Sequence, residues 1–397
     1  MKRLFAGLAL FAGFWSARGA CAADAIPRSQ RFANAAIARW PDGRFVPEGA
    51  PWAWNYELGT LLEGMDAVWQ RSSDQRYFNY IKDSMDKFVR PNGTIATWMP
   101  EEDQLDHILP GRQLLFLYHA TRDPRYAKAA ALLYEQLRRQ PRNALGGFWH
   151  KQRYPNQMWL DGLYMAEPFY AEYAATFDHP DAFSDITLQF RLVDEHMRDA
   201  KTGLLYHGWD ESKKEQWANK RTGLSSQFWA RGMGWYMMAL VDTLGYYRTD
   251  DPGRKELLAQ LERTARAVTR YQDPETGLWY QVIDRAGAPG NYFESSAACM
   301  FVYALAKGVR MGYLPARYRA NAERGYRGIL NHFVRASPGD DVSLTGTVKA
   351  AGLGGTPYRD GSYAYYLGEK VVTNDPKGVG AFLLAATEME TLGARSR

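Results

Sequence analysis

One carboxylate interrupts the apolar, aromatic run Trp159-Leu-Asp-Gly-Leu-Tyr-Met-Ala-Glu-Pro168. A carboxylate in the first turn of a buried helix is costly to desolvate unless it is hydrogen-bonded or keeps its proton near neutral pH. A proton held there is what a general acid needs, which makes Asp161 the first candidate for chemistry. The competing reading is an acid that serves the helix start through backbone N–H groups. Other reactive and stacking side chains gather near comparable phrases. Asp106 and His107 follow Trp98, His150 follows Trp149, and His207 precedes Trp209. Arg231 stands between Trp229 and Trp235, and Tyr292 and Glu294 precede an apolar run. Aromatic faces stack on sugar rings, imidazoles and carboxylates bind hydroxyls, and an arginine pairs with a uronate carboxylate. The set therefore fits an acidic-sugar site. Core packing competes for each tryptophan, and a structural role competes for His150 and His207.

Positioning such a set requires a repeated frame, and the chain has one. Leu114, Leu117, Tyr118 and then Ala129, Leu132, Leu133, Leu137 follow the i, i+3, i+4 spacing of apolar helix faces. Between such helices a glycine turn leads into a short aromatic segment. The phrases are Gly93-Thr-Ile-Ala-Thr-Trp98, Gly147-Phe-Trp-His150, Gly203-Leu-Leu-Tyr-His207 and Gly277-Leu-Trp-Tyr-Gln281. They recur at about the length of a helical hairpin plus a loop, leaving room for six or seven units. A closed ring of hairpins buries every apolar face at once, which predicts an all-α fold, an (α/α)6 barrel of six helical hairpins with short aromatic β-like loops at the active-site end. A superhelical solenoid is the alternative. In the barrel, residues just after each aromatic phrase converge at one end.

Composition narrows the function classes. The 397 residues are 46% hydrophobic and 14% aromatic, enough for a large core. The body has no linker-like stretch, and a single catalytic domain over 23–397 is expected. Lys2-Arg3, an apolar run from Leu4 to Trp15 and Ala20-Cys21-Ala22 read as a signal peptide over 1–22, with export to the periplasm or beyond. That run is too short to span a bilayer. Lipid attachment at Cys21 is disfavoured by Arg18, which stands where an aliphatic residue is wanted. Cys299 is then the one remaining thiol and is read as core packing. The net charge of +5 gives mild attraction to anions, and no basic cluster interleaved with aromatics suggests nucleic acid. The histidines lack the spacing of a zinc site, and no G-x-S-x-G elbow or phosphate loop occurs.

Several phrases together resemble glycoside hydrolase family 105, the unsaturated rhamnogalacturonyl hydrolases. They are Leu105-Asp-His-Ile-Leu-Pro-Gly111, Trp159-Leu-Asp-Gly-Leu-Tyr-Met-Ala166, Phe228-Trp-Ala-Arg-Gly-Met-Gly-Trp235 and Tyr292-Phe-Glu-Ser-Ser296. Asp360-Gly-Ser-Tyr-Ala-Tyr-Tyr366 and Asn374-Asp-Pro-Lys-Gly-Val-Gly-Ala-Phe382 extend the match to nearly the whole chain. The resemblance implies an (α/α)6 barrel, Asp161 as catalytic acid/base and Asp106 as the second site acid. It also implies His150, His207, Trp229, Arg231 and Trp235 as the substrate-binding set, with Tyr56 a looser match. The chemistry it implies is hydration. Asp161 protonates C4 of a 4,5-unsaturated uronyl residue, water adds at C5, and the glycosidic bond is lost without attack at the anomeric carbon. Neither a metal nor an organic cofactor takes part, and the partner is an unsaturated acidic oligosaccharide from lyase-treated pectin. Two other readings remain: an unsaturated glucuronyl hydrolase acting on glycosaminoglycan or ulvan fragments, and a periplasmic protein that only binds acidic sugars.

Overall fold

Some helices of this chain are apolar on almost every side and others on one side only, and that difference sorts them into two layers. A computed structural model describes residues 26–46, 51–336 and 342–394; the expected signal peptide with Cys21 lies outside the described residues. The inner layer holds α2 (Tyr56–Ser72), α4 (Gly111–Thr121), α6 (Leu160–Phe177), α8 (Ala230–Thr243), α10 (Ser295–Arg310) and α13 (Pro376–Ala394). Every residue of α8 and most of α6 and α13 are buried. The outer layer holds α1 (Arg28–Arg39), α3 (Gln75–Asp86), α5 (Pro124–Arg139), α7 (Ala182–Met197), α9 (Pro252–Arg270) and α11 (Tyr318–His332). Its helices are amphipathic, and three begin with an aspartate cap: Asp74, Asp123 and Asp251 each accept the backbone N–H two residues on.

The inner helices form a closed ring, α2 against α4, then α6, α8, α10, α13 and back to α2, with one outer helix behind each. Five hairpins are continuous in sequence. The sixth is not: α13 takes α1, from the other end of the chain, as its outer partner. At the α2–α13 seam the backbones almost touch. A Cβ on Gly380 would stand 2.2 Å from the carbonyl oxygen of Thr60, and one on Gly64 would stand 2.8 Å from that of Gly380. Ser29 adds a hydrogen bond of 2.7 Å to Glu390 across the same closure.

The aromatic phrases occupy matching places between an outer helix and the next inner one. Val89–Ile95, Arg142–Phe148 and Arg198–Leu205 close single antiparallel bridges around the glycine turns. The segments then run toward one end of the ring and pair there. β1 (Gln157–Trp159) and β2 (Gly208–Asp210) are antiparallel, with Trp159 opposite Gly208. β3 (Val334–Ala336) pairs β4 (Val342–Leu344), and β5 (Thr347–Val348) pairs β6 (Val371–Val372), with the short α12 (Tyr363–Gly368) in the connection before β6. No helix among the described residues is long and apolar enough to cross a membrane.

Candidate active site

The entry segments of the inner helices hydrogen-bond to one another around the ring. Leu105 N–H donates to the His150 carbonyl (3.1 Å), Leu160 to that of His207 (3.1 Å), Ala230 to that of Gln281 (3.0 Å) and Ser295 to that of Gly346 (3.0 Å). The residues before α6 and α8 are Trp159 and Trp229, which offer no side-chain cap. Backbone carbonyls of the neighbouring segments take that role, so each inner helix start is locked to the preceding or following loop. Side chains distant in sequence are thereby fixed side by side.

Asp161 is the second residue of α6, and the β1–β2 pairing sets His207 beside it. Nε2 of His207 lies 3.3 Å from Oδ2 of Asp161. His207 is wholly buried, and its Nδ1 is 2.7 Å from the hydroxyl of Tyr366. Asp106 sits in a 3₁₀ turn over Leu105–His107 ahead of α4. Its Oδ2 accepts from Lys151 at 2.5 Å, and its Oδ1 lies 3.5 Å from Nε2 of His150. The Trp159 ring joins the two pairs. It stacks on His150 (centroids 4.5 Å, 20°) and meets His207 edge-on (5.5 Å, 63°). Gly162 makes room for this packing, because a Cβ there would be 3.1 Å from Nδ1 of His150.

The electrostatics of the Asp106–His150 pair are one-sided. Burial pushes His150 down to about 4, against the pull of Asp106, so the imidazole is neutral at ordinary pH. Burial alone would raise Asp106, but Lys151 and then His150 outweigh it and hold the carboxyl below its usual range. The pair therefore presents a carboxylate, not an acid.

Arg231 enters from the first turn of α8 and is 2% exposed. One terminal nitrogen donates to the Val348 carbonyl and lies 3.4 Å from Ser296 Oγ, and the guanidinium sits 5.0 Å from the Trp229 ring centroid. The two carboxylates that could have neutralised it are engaged elsewhere. Asp242 is bound by Arg112, Tyr303 and Lys307, and Glu294 caps α10 and accepts the Val348 N–H. Among the described residues Arg231 has no ion-pair partner, and its Nε is buried without an acceptor. A buried guanidinium in that state is expensive unless an anion joins it.

Tyr56, the first residue of α2, is half-buried. Its hydroxyl is held well above its usual range by burial and then by Glu57 and Asp106, with Arg231 opposing, so it shares the field of both halves of the site. Trp235 does not join this group as a stacking face. It lies about one turn deeper on α8 than Arg231, is 1% exposed and stacks on Tyr164 at 5.0 Å. The tryptophans are not open platforms: Trp229 is also 1% exposed, packed on His207 at 4.6 Å. Trp209 faces the outer layer, stacked on His196 at 4.2 Å.

Two groups, Lys151 and Tyr366, carried no role in the sequence reading, and a third, Tyr292, was named there without a partner. Lys151 adjoins His150 in the chain, a signal that was available. Tyr366 lies in a matched phrase but had no chemical role there. The Tyr292 hydroxyl is buried without a partner, and Arg231 and Glu294 both act on it. Beside Lys151 a cleft of about 310 Å³ opens, lined by Glu101, Glu102, Gln104, Lys151, Gln152 and Arg153.

Comparison with known proteins identifies the family and the fold. The sequence profile of Glycosyl Hydrolase Family 88 matches residues 28–393. A solved family 105 glycoside hydrolase from C. acetobutylicum is 42% identical, with a TM-score of 0.88 over 92% of this chain and 99% of that one. The unsaturated rhamnogalacturonyl hydrolase YesR of Bacillus subtilis is 28% identical over 268 residues, 64% of this chain and 70% of that protein. An unsaturated glucuronyl hydrolase from Bacillus sp. GL1 shares the fold at 14% identity, with a TM-score of 0.67 over 91% of this chain and 95% of its own. The chain belongs to the unsaturated glycuronyl hydrolases of glycoside hydrolase families 88 and 105 and has their helical-barrel fold.

Proposed function

We propose that this hydrolase removes the terminal 4,5-unsaturated uronyl residue from rhamnogalacturonan oligosaccharides left by a lyase, with Asp161 as acid and then base. The observation that carries the reading is Asp161 itself, a mostly buried carboxyl with one oxygen against His207 and no other partner among the described residues. The C4=C5 bond and the ring oxygen form a vinyl ether. Asp161 gives its proton to C4, and the ring oxygen stabilises the cation at C5. Water then adds to C5 and loses a proton to the Asp161 carboxylate, which restores the acid. The resulting hemiketal opens to a C5 ketone, and the hemiacetal left at C1 releases the neighbouring sugar.

The other residues take supporting roles in this reading. Arg231, buried without a carboxylate, receives the uronate carboxylate. Asp106, kept ionised by Lys151, and neutral His150 bind hydroxyls, and Tyr56 faces the same space. The preference for rhamnogalacturonan rests on the likeness to YesR and to family 105; the glucuronyl alternative rests on the shared fold alone. The N-terminal segment supports action outside the cytoplasm, on fragments that reach the periplasm. The test is loss of absorbance near 235 nm, the band of the C4=C5 bond conjugated with the uronate carboxylate, on lyase digests of rhamnogalacturonan, homogalacturonan, chondroitin and ulvan. Fastest bleaching on the first is expected. Bleaching only of chondroitin or ulvan fragments overturns the substrate, and binding without bleaching overturns catalysis.

A further inference from the structure

Tyr366 belongs to α12, outside the ring, yet it is fully buried and its hydroxyl reaches Nδ1 of His207 at 2.7 Å. Burial holds that hydroxyl well above its usual range, so it keeps its proton at any working pH. The contact decides which nitrogen of His207 carries hydrogen. A neutral imidazole has one N–H and one lone pair. If Nδ1 donated to Tyr366, the phenolic proton would need another acceptor, and among the described residues the hydroxyl has none. A buried donor left unpaired bears the full cost of its desolvation. In that arrangement the Nε2 lone pair would also face Oδ2 of Asp161, two acceptors in contact whenever the carboxyl acts in its basic form. If Tyr366 donates instead, Nε2 carries the hydrogen, on the ring edge next to Oδ2. His207 Nε2 and Asp161 Oδ2, both buried and neither in a hydrogen bond among the described residues, then meet across 3.3 Å as N–H against carboxylate, an electrostatic contact short of hydrogen-bond alignment.

The consequence reaches the reacting carboxyl. Oδ2 is closed off from solvent and faces an N–H, so it is the wrong oxygen to hold the acid proton. Oδ1 makes no hydrogen bond, and the 14% exposure of the side chain lies outside Oδ2. We propose that Tyr366 is a positioning residue: its hydroxyl fixes His207 as the Nε2–H tautomer, which clamps Oδ2 of Asp161 and leaves Oδ1 as the oxygen that delivers the proton to C4. The proposal rests on the preceding reading of Asp161 as the acid/base. Neither His207 nor Tyr366 touches the substrate carbon in it; both act through Asp161.

The tautomer can be read without turnover. In the full-length protein carrying ¹⁵N-imidazole histidine, the His207 signal is the one lost in His207→Asn, and its two ring nitrogens distinguish Nε2–H from Nδ1–H. The Nε2–H form is expected in wild type and a mixture in Tyr366→Phe. With an unsaturated rhamnogalacturonan disaccharide, Tyr366→Phe should lower kcat about 10- to 100-fold, within the range of general acid–base effects, and leave KM within about threefold. A wild-type protein in the Nδ1–H form overturns the proposal even if Tyr366→Phe does not fold. So does a folded Tyr366→Phe whose kcat stays within twofold of wild type. A wild type that bleaches none of the unsaturated sugars overturns the assigned reaction instead, and the tautomer measurement then decides the Tyr366–His207 assignment by itself.

Discussion

Asp161 and Asp242 are both buried carboxylates on inner helices, and they are treated in opposite ways. Asp161, at the start of α6, has one oxygen against a single imidazole and the other unengaged. Asp242, in the last turn of α8, has Oδ1 bound by Tyr303 at 2.7 Å and Lys307 at 2.8 Å, and Oδ2 bound by Arg112 at 2.9 Å. Arg112 also reaches Glu63 at 2.8 Å, so the network spans four inner helices at the end of the barrel away from Asp161. Burial would raise Asp242, but Lys307 and Arg112 outweigh it and hold the carboxyl low. A carboxylate with all its acceptors filled has nothing left to exchange with a ligand. The entrance end leaves such capacity open at Asp161, His207 and Arg231, and that difference separates a site from a brace.

The sharpest way to break this comparison is to neutralise each carboxylate in turn. Asp161→Asn should cost at least about 10²- to 10⁴-fold in kcat while its melting temperature stays equal to or above wild type. Retention of a tenth of the wild-type rate removes Asp161 as the acid/base. Asp242→Asn should do the reverse, leaving Arg112 and Lys307 undercompensated and lowering unfolding free energy by about 3–5 kcal/mol. Urea midpoints measure this, and the fraction that remains folded should turn over near the wild-type rate. Arg231→Lys tests the unpaired cation. Losing the planar fork should weaken substrate binding by about 1–3 kcal/mol, seen as a raised KM; an unchanged KM would take Arg231 out of the site.

The smallest effect concerns pH at the brace. Burial, followed by the charge of Glu63, pushes Asp66 up to about 8, and burial pushes Glu172 to about 7. Unfolded, both ionise near pH ~4. Between pH 6.5 and 8 the unfolded chain has already lost protons that the folded chain still holds, so stability falls as pH rises. His150 opposes this weakly at the lower edge of the window, where the unfolded imidazole is still about half protonated while the folded one is neutral. Thermal melts at pH 6.5 and pH 8 should show the fall, and Asp66→Asn should flatten it. An equal slope in the variant would locate the titration elsewhere.

The repeat was legible because its signals are local. Glycine turns, aromatic phrases and apolar periodicity each act within about 20 residues, and together they mark out the hairpins that are continuous in sequence. The sixth pairing joins Arg28–Arg39 to Pro376–Ala394, and no local pattern announces it. The site divides in the same way. Asp106, His150, Asp161 and His207 were legible because each follows or closes an aromatic phrase in the same phase of the repeat. Tyr366 was not, since it reaches His207 from 159 positions further along the chain. The stacking assigned to Trp235 failed for a geometric reason: sequence neighbours on a helix four residues apart share a face but not a depth, and the deeper ring fell to Tyr164.

The seam between α2 and α13 also sets the order in which this molecule can be finished. Every other wall of the ring is built from helices that are neighbours in synthesis, so each can settle on the one before it. The α2 wall cannot. Its partner is the 19-residue helix Pro376–Ala394, made after the other helices of the ring, and the Gly64–Gly380 contact leaves no room for a Cβ between them. Until that helix emerges, a nascent chain is an open crescent with two raw apolar edges, and joining them is a single long-range event. Closure is therefore a requirement of the geometry: the seam forms only once Pro376–Ala394 has been made, long after Tyr56–Ser72.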